Sequence, residues 1–332
     1  MAFAGTLDAT GEVAAHVNPL PLIPAFVIGL LSPNDGLQGA LRGYLGADVA
    51  VALIAVATAE SSAEPDAPAA PTPAGEGLAT PVDKQLTFAR LHLPKGFGAS
   101  AGRCDLLIHF HGAPQTTIPA FDHAGLQAAL LLVNLGAWAD PYASAYADPA
   151  AFPRLAAAAQ KSLDEALPES ERCPVARIGL SAYSAGYAAV SRILSSADNV
   201  ARIDAVLLAD ALHAPFELYS RRPDARGMTG ITRFGKLATE GDRMLSVTHS
   251  SIETHAFAST SKTAAALLDS LGVERVSNAS VGPRGMSMTY RADKRGLHVR
   301  GYRGDDASAH SDQLRAIGDT LFPELRERWE RR

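Results

Sequence analysis

From about residue 84 onward, short apolar runs alternate with helix-patterned segments, and this alternation constrains the fold more than any other feature of the chain. Residues 105–110 form a short continuous apolar run, as expected of a strand covered on both faces. Residues 86–93 alternate like an early strand, and 126–135 read as a helix end and a strand with 129–133 at its core. A helix is expected over 150–167, a buried strand over 175–180 and a helix over 185–195. The strand signal recurs at 205–209, 244–248 and 297–302, with helices at 261–272 and 309–321. Recurring strand, loop and helix units specify an α/β fold, a mostly parallel sheet with helices on both faces. In such sheets the chemistry sits at the carboxyl ends of the strands.

Charge separates this region from the rest. The 30 Lys and Arg against 35 Asp and Glu give a formal net charge of −5. Residues 1–80 hold eight of the acids and one base, Arg42, a net of −7, so the remainder carries −5 minus −7, or +2. Neither part has the basic face that nucleic-acid binding requires. Two cysteines, Cys104 and Cys173, are too few for a disulfide scaffold or a four-cysteine zinc site.

Residues 61–83 are rich in Pro and Ala and poor in large apolar side chains, which reads as a solvated, extended linker. Ahead of it, the apolar stretch 49–59 makes a helix of about 16 Å, short of a ~30 Å hydrocarbon core. Residues 42–59 resemble an export signal in outline, with Arg42 before an apolar segment and Ala57-Thr58-Ala59 shaped like a cleavage site. The acidic residues upstream fit that reading poorly, and Ala-rich helices packed on the main domain are the alternative. Three regions follow: 1–60, an apolar leader or packing helices; 61–83, the linker; 84–332, the folded domain. Membrane association is expected through 42–59 alone.

Directly after the strand at 175–180 comes Ser181-Ala182-Tyr183-Ser184-Ala185-Gly186, leading into a helix. Small residues two positions either side of Ser184 allow a strained turn that lifts its hydroxyl above the sheet, because neighbouring backbones pass close there. Ser181 has Tyr183 at the corresponding position, which is too bulky. At the exit of the 105–110 strand stands His109-Phe110-His111-Gly112-Ala113. The two segments together resemble the nucleophile elbow and His-Gly loop of the α/β-hydrolase superfamily, in an A-x-S-x-G variant, over roughly residues 84–325.

The resemblance implies a serine esterase or lipase-like catalytic domain with a nucleophile, acid, histidine order along the chain. Ser184 is then the nucleophile and His310, after the last strand, the general base; His298, His249 and His255 fit less well. Asp210, leaving its strand without slack, is the expected acid, with Glu253 as runner-up, while Asp305 and Asp306 shape the His310 loop. The oxyanion hole would use the N–H of Ala185 with that of Gly112 or Ala113. His111, Tyr183, Trp138 and Tyr142 are the expected substrate-binding residues, although packing of the aromatic groups, with Tyr146 and Phe152, beneath a loop is the competing role. The segment after His213, carrying Phe216, Tyr219, Arg221, Arg222, Arg226 and Arg233, resembles a lid insertion. The expected substrate is a small ester-like molecule, an ester or amide carbonyl being attacked by Ser184, and no cofactor is required.

Two rivals remain. His109 and His111 with Asp210 and His213 could bind a metal for hydrolysis; alternatively, the chain is an inert binding protein on the same scaffold. In the implied fold the strands after Cys104 and Cys173 are neighbours, which permits a disulfide that would suit export, while two reduced thiols are equally compatible. An exported or anchored location is favoured slightly over a cytoplasmic one.

Overall fold

The computed structural model describes residue 78 and residues 81–86, 88–98 and 102–331. The expectations for 1–60, including 42–59, and for most of 61–83 lie outside the described residues. Ten described strands form one sheet: β1 (Val82–Gln85), β2 (Ala89–Leu93), β3 (Cys104–Phe110), β4 (Ala129–Val133), β5 (Val175–Tyr183), β6 (Ile203–Ala209), β7 (Met244–His249), β8 (Val276–Ser277), β9 (Met288–Lys294) and β10 (Leu297–Tyr302). Their spatial order is β1-β2-β4-β3-β5-β6-β7-β10-β9-β8. The six central strands, from β4 to β10, are parallel, and antiparallel strands finish both edges.

Nine α-helices are described: α1 (Pro114–Ala124), α2 (Ala139–Ala145), α3 (Ala151–Ala166), α4 (Tyr187–Ser195), α5 (Ala197–Arg202), α6 (Thr229–Glu240), α7 (Thr260–Leu271), α8 (Ala307–Arg315) and α9 (Leu321–Glu330). Successive strand residues face opposite sides of a sheet, and here both sides are apolar. In β3, Leu106, Ile108 and Phe110 join one core and Leu107 the other; in β6, Val206 and Leu208 are divided from Ala205, Leu207 and Ala209. Helices α2 to α7 cover the first face with residues such as Tyr142, Phe152, Ile193, Phe234 and Leu267. Helices α1 and α9 cover the second with Phe121, Phe322, Leu325 and Trp329. Two covered faces explain the unbroken apolar strand sequences, each fully buried Leu, Ile or Phe contributing about 1.5–3 kcal/mol.

Three segments differ from the sequence reading. The stretch 86–93 is not one strand, because Leu86 N–H donates to the Ala89 carbonyl (2.8 Å), turning β1 back onto β2. β1 therefore takes in residues 82 and 83, the end of the expected linker. The single helix expected over 309–321 is two helices, α8 and α9. Pro323, in the first turn of α9, lacks the N–H that a continuous helix would use. Gly318, between them, lies so close to α1 that a Cβ there would stand 2.4 Å from the Ala120 carbonyl oxygen. Strands β8 and β9 carried no apolar signal because, of their nine residues, only Ala292 is buried. Among the described residues no helix is long and apolar enough to cross a membrane.

Cys104, the first residue of β3, and Cys173, two residues ahead of β5, are joined by a disulfide with a Cα–Cα separation of 5.6 Å. The bridge ties the amino-terminal ends of paired strands, where Cys104 N–H also donates to the Pro174 carbonyl (3.0 Å). It closes a loop of 69 residues, which restricts the unfolded chain and stabilises the fold by about 2–5 kcal/mol. Replacing both cysteines by alanine is expected to lower the thermal midpoint by roughly 5–15 °C. Differential scanning calorimetry, with wild-type protein under reductant as the parallel sample, checks this.

Candidate active site

The register of the parallel strands brings three chain exits level: Phe110 of β3 pairs with Ala182 of β5, and Tyr183 of β5 pairs with Ala209 of β6. The residue leaving each strand has positive φ: His111 at 65°, Ser184 at 49° and Asp210 at 44°. For non-glycine residues this conformation is uncommon and costs about 1–3 kcal/mol, a pattern found where side-chain placement outweighs local stability.

At Ser184 the turn is enforced by close packing. A Cβ on Gly186 would lie 2.1 Å from the Phe110 carbonyl oxygen, so only glycine fits at that position. Ser184–Gly186 forms a tight 3-10 turn before α4 begins at Tyr187. The turn presents Ser184 Oγ to His310 Nε2 at 2.9 Å. His310 lies in the first turn of α8, whose N-cap Asp306 accepts from Ala309 N–H (2.8 Å). Asp306 therefore shapes the loop that presents His310.

His310 Nδ1 donates to Asp210 Oδ2 at 2.8 Å. Asp210 is almost completely buried and also accepts from Ser250 Oγ on Oδ2 (2.7 Å) and from Ser250 N–H on Oδ1 (3.1 Å). Burial by itself raises the Asp210 pKa, but the His310 hydrogen bond and charge, with the two Ser250 bonds, outweigh it and hold the carboxyl below its usual range. An ionised carboxylate only accepts, so the imidazole proton sits on Nδ1 and Nε2 is left to accept from the serine hydroxyl. The structure thus brings together Ser184, His310 and Asp210. Glu253 is on an exposed loop, ion-paired with Lys262.

The His-Gly loop is held by groups with no motif in the sequence. Asn134 Oδ1 accepts from Gly112 N–H (3.1 Å) while Asn134 Nδ2 donates to the Gly112 carbonyl (2.7 Å). Of the two expected loop donors, Gly112 is therefore already engaged. Gly112, at φ 151°, leaves no room for a side chain: a Cβ would stand 2.9 Å from His109 Nε2. His109 is fully buried, and burial pushes its pKa down to about 3. Its Nε2 donates to the His111 carbonyl (2.9 Å), which leaves Nδ1 to accept from Ser181 Oγ (2.9 Å).

His111 and Tyr183 line a cavity of about 520 Å³ that is also bounded by Ser311, the residue after His310. Tyr183 stacks on His310 (centroids 4.7 Å apart) and on His111 (5.8 Å). Burial lowers the His111 pKa and pushes that of Tyr183 up to about 12, so both face the cavity uncharged at neutral pH. Tyr142 does not line it: the ring is completely buried, and the hydroxyl bonds His111 Nδ1 (3.1 Å) and the Gly136 carbonyl (3.2 Å). Trp138 is 50% exposed and likewise absent from the cavity wall. Tyr146 and Phe152 are core residues. In the expected lid segment Arg233, inside α6, donates to the Leu194 carbonyl (2.6 Å), while Tyr219 is 96% exposed.

The histidines proposed as metal ligands are used otherwise. His109 has both ring nitrogens engaged, and His213 stacks edge-on against Tyr187 and Phe257 with burial pushing its pKa down to about 4. Among the described residues no group of three or more His, Cys, Asp or Glu is arranged as a metal-binding set. Asn134 and Ser250 were beyond sequence reasoning because single polar residues after strands carry no spacing signal.

The mostly parallel sheet, its antiparallel β2 edge and the serine turn directly after β5 define an α/β-hydrolase fold. No family model and no curated protein matches the chain. Among solved structures, it is similar to a zinc-bound cold-adapted esterase from an Arctic intertidal metagenomic library (13% identity, 72% of this chain and 86% of that one, TM-score 0.39). It is also similar to P91, a dienelactone hydrolase-like promiscuous phosphotriesterase from metagenomic libraries (15%, 76% and 99%, TM-score 0.37). A third is LpqC, a poly(3-hydroxybutyrate) depolymerase from Bordetella parapertussis (14%, 73% and 90%, TM-score 0.36).

The depressed Asp210 pKa has a stability consequence with a definite sign. A carboxyl whose folded pKa is lowered contributes stability above its unfolded value, about 3.9, and loses it as pH falls through the folded value. Asn tolerates positive φ, so Asp210→Asn removes the charge with little backbone cost. Its destabilisation relative to wild type is expected to be largest above about pH 4 and to shrink below it. Urea unfolding at pH 6 and pH 3.5 measures the difference.

Proposed function

We propose that the chain is a serine hydrolase that cleaves ester-type bonds through an acyl-enzyme on Ser184. The observation that carries this reading is the continuous relay from Ser184 Oγ through His310 to the buried Asp210, at 2.9 and 2.8 Å. His310 Nε2 takes the hydroxyl proton as Oγ bonds to the carbonyl carbon. The carbonyl π pair moves to oxygen, where the N–H groups of Ala185 and Ala113 meet the negative charge. Each such donor lowers the barrier by about 2.7–4 kcal/mol. Asp210 stabilises the imidazolium and keeps the ring in register.

Collapse of the tetrahedral species expels the alcohol, which takes the proton from His310 Nε2. Water then adds to the acyl carbonyl with His310 as base, and the carboxylic acid leaves as Ser184 Oγ recovers its proton. The Asn134 clamp on Gly112 holds the loop, so the Ala113 donor is positioned before substrate arrives.

Ser184→Ala is expected to reduce turnover of 4-nitrophenyl esters of graded chain length by roughly 10⁴-fold or more, and Asp210→Asn by about 10⁴-fold. Wild type is expected to be labelled at Ser184 by a fluorophosphonate, read by peptide mass spectrometry. Full activity in Ser184→Ala, or labelling elsewhere, would overturn the reading.

A further inference from the structure

The cavity beside the relay is charged on one side only. It is bounded by Tyr183 immediately before Ser184, by Ser311 immediately after His310, and by Gly112 and Ala113 of the His-Gly loop. Among the described residues its only ionised wall residue at neutral pH is Arg315, from the last turn of α8, and no Asp or Glu lines it. The side chain of Arg315 is 49% exposed, and its one hydrogen bond among the described residues runs from Nη1 to Asp312 Oδ1 at 3.3 Å. That oxygen is already bonded by Arg284 Nε at a shorter 3.0 Å. One carboxylate thus serves two guanidinium groups, and most of the Arg315 donor fork is uncommitted.

The remaining polar wall suits an anion. Thr116 brings a hydroxyl and Tyr183 a phenol, whereas Ser311 Oγ already donates to the Ala307 carbonyl (2.9 Å). Thr116 belongs to the first turn of α1, which carries no acidic residue and no side-chain cap. The positive end of that helix therefore adds to the Arg315 field rather than being neutralised. A purely apolar acyl chain would leave most of the Arg315 donor fork and the Thr116 hydroxyl facing it without partners, which costs binding energy.

We propose that this cavity selects esters carrying a carboxylate, held by Arg315 with help from Thr116, at the end of the molecule remote from the scissile bond. This deepens the serine-hydrolase reading and rests on it. Arg315 acts here as a specificity residue, outside the proton relay, while Ser184 and His310 perform the same chemistry on neutral esters more slowly.

Two matched pairs test the idea. Mono-(4-nitrophenyl) glutarate against 4-nitrophenyl pentanoate places the carboxylate on the acyl side. 4-Acetoxybenzoate against 4-acetoxybenzamide places it on the alcohol side. In wild type, at least one anionic member is expected to exceed its neutral partner in kcat/KM, and Arg315→Gln to erase that preference by roughly 10- to 100-fold. Turnover of the neutral members should stay within about three-fold, showing that the variant folds and its relay works. No anionic preference in either pair, or equal loss on neutral and anionic esters, would overturn the proposal while leaving the hydrolase reading intact if Ser184→Ala abolishes neutral-ester turnover.

Should no ester be hydrolysed at all, the hydrolase reading fails separately. The cavity is then read by calorimetric titration with glutarate: binding to wild type that weakens at least ten-fold in Arg315→Gln supports the anion site. Equal or absent binding in the two proteins overturns it.

Discussion

Gly186 and the Phe110 carbonyl oxygen approach so closely that a Cβ would stand 2.1 Å from that oxygen, and the geometry of the site depends on this contact. It lets α4 start hard against β3, so the chain leaving β5 must turn within three residues. Ser184, the residue that absorbs the turn, is thereby forced to positive φ. The cost is recovered from the core beneath, where Leu180, Ala182, Val190 and Ile193 are sealed from solvent. A rigid apolar sheet can hold three such strained exits side by side because none can relax without disturbing the packing of its neighbours.

Electrostatics follows from the same placement. Asp210 is buried at the end of β6, where an unpaired carboxylate would be costly. Donors from two other elements reach it: His310 from α8, and both the hydroxyl and amide of Ser250 from the loop after β7. The acid is therefore ionised because it is solvated by protein. His109 shows the opposite solution, a buried imidazole kept neutral and used to hold the His111 backbone. Two histidines two residues apart thus do unrelated work, one bracing the loop from below and the other lining the cavity.

Much of the central architecture was legible because it is local. Strands buried on both faces must be continuously apolar, and β3, β4, β5, β6, β7 and β10 were all visible that way. Ser184 was visible because the turn demands small neighbours at fixed offsets, Asp210 because it leaves its strand directly, and His310 because it follows the last strand in the chain order that the resemblance implies. The illegible parts depend on partners distant in sequence. Asn134 clamps Gly112 across 22 residues, and Arg315 lines one cavity with Thr116 from a helix that sequence periodicity had run on through the break at 316–320. β9 is exposed and polar, so no burial pattern marked it. Trp138 and Tyr142 had the right loop but different depths, which composition does not encode.

The sequence by itself determined the alternation of buried strand and helix and the serine turn after β5, because each is written in neighbouring residues. Tertiary structure decided between Asp210 and Glu253: the first leaves β6 directly and meets His310, while the second lies on an exposed loop beyond β7 and pairs with Lys262. It likewise decided that Gly112 is occupied by Asn134 and that an arginine with most of its donors uncommitted stands beside Ser184 and His310. Those outcomes depend on which side chains converge from separate elements, and convergence is a property of the packed sheet rather than of any stretch of chain.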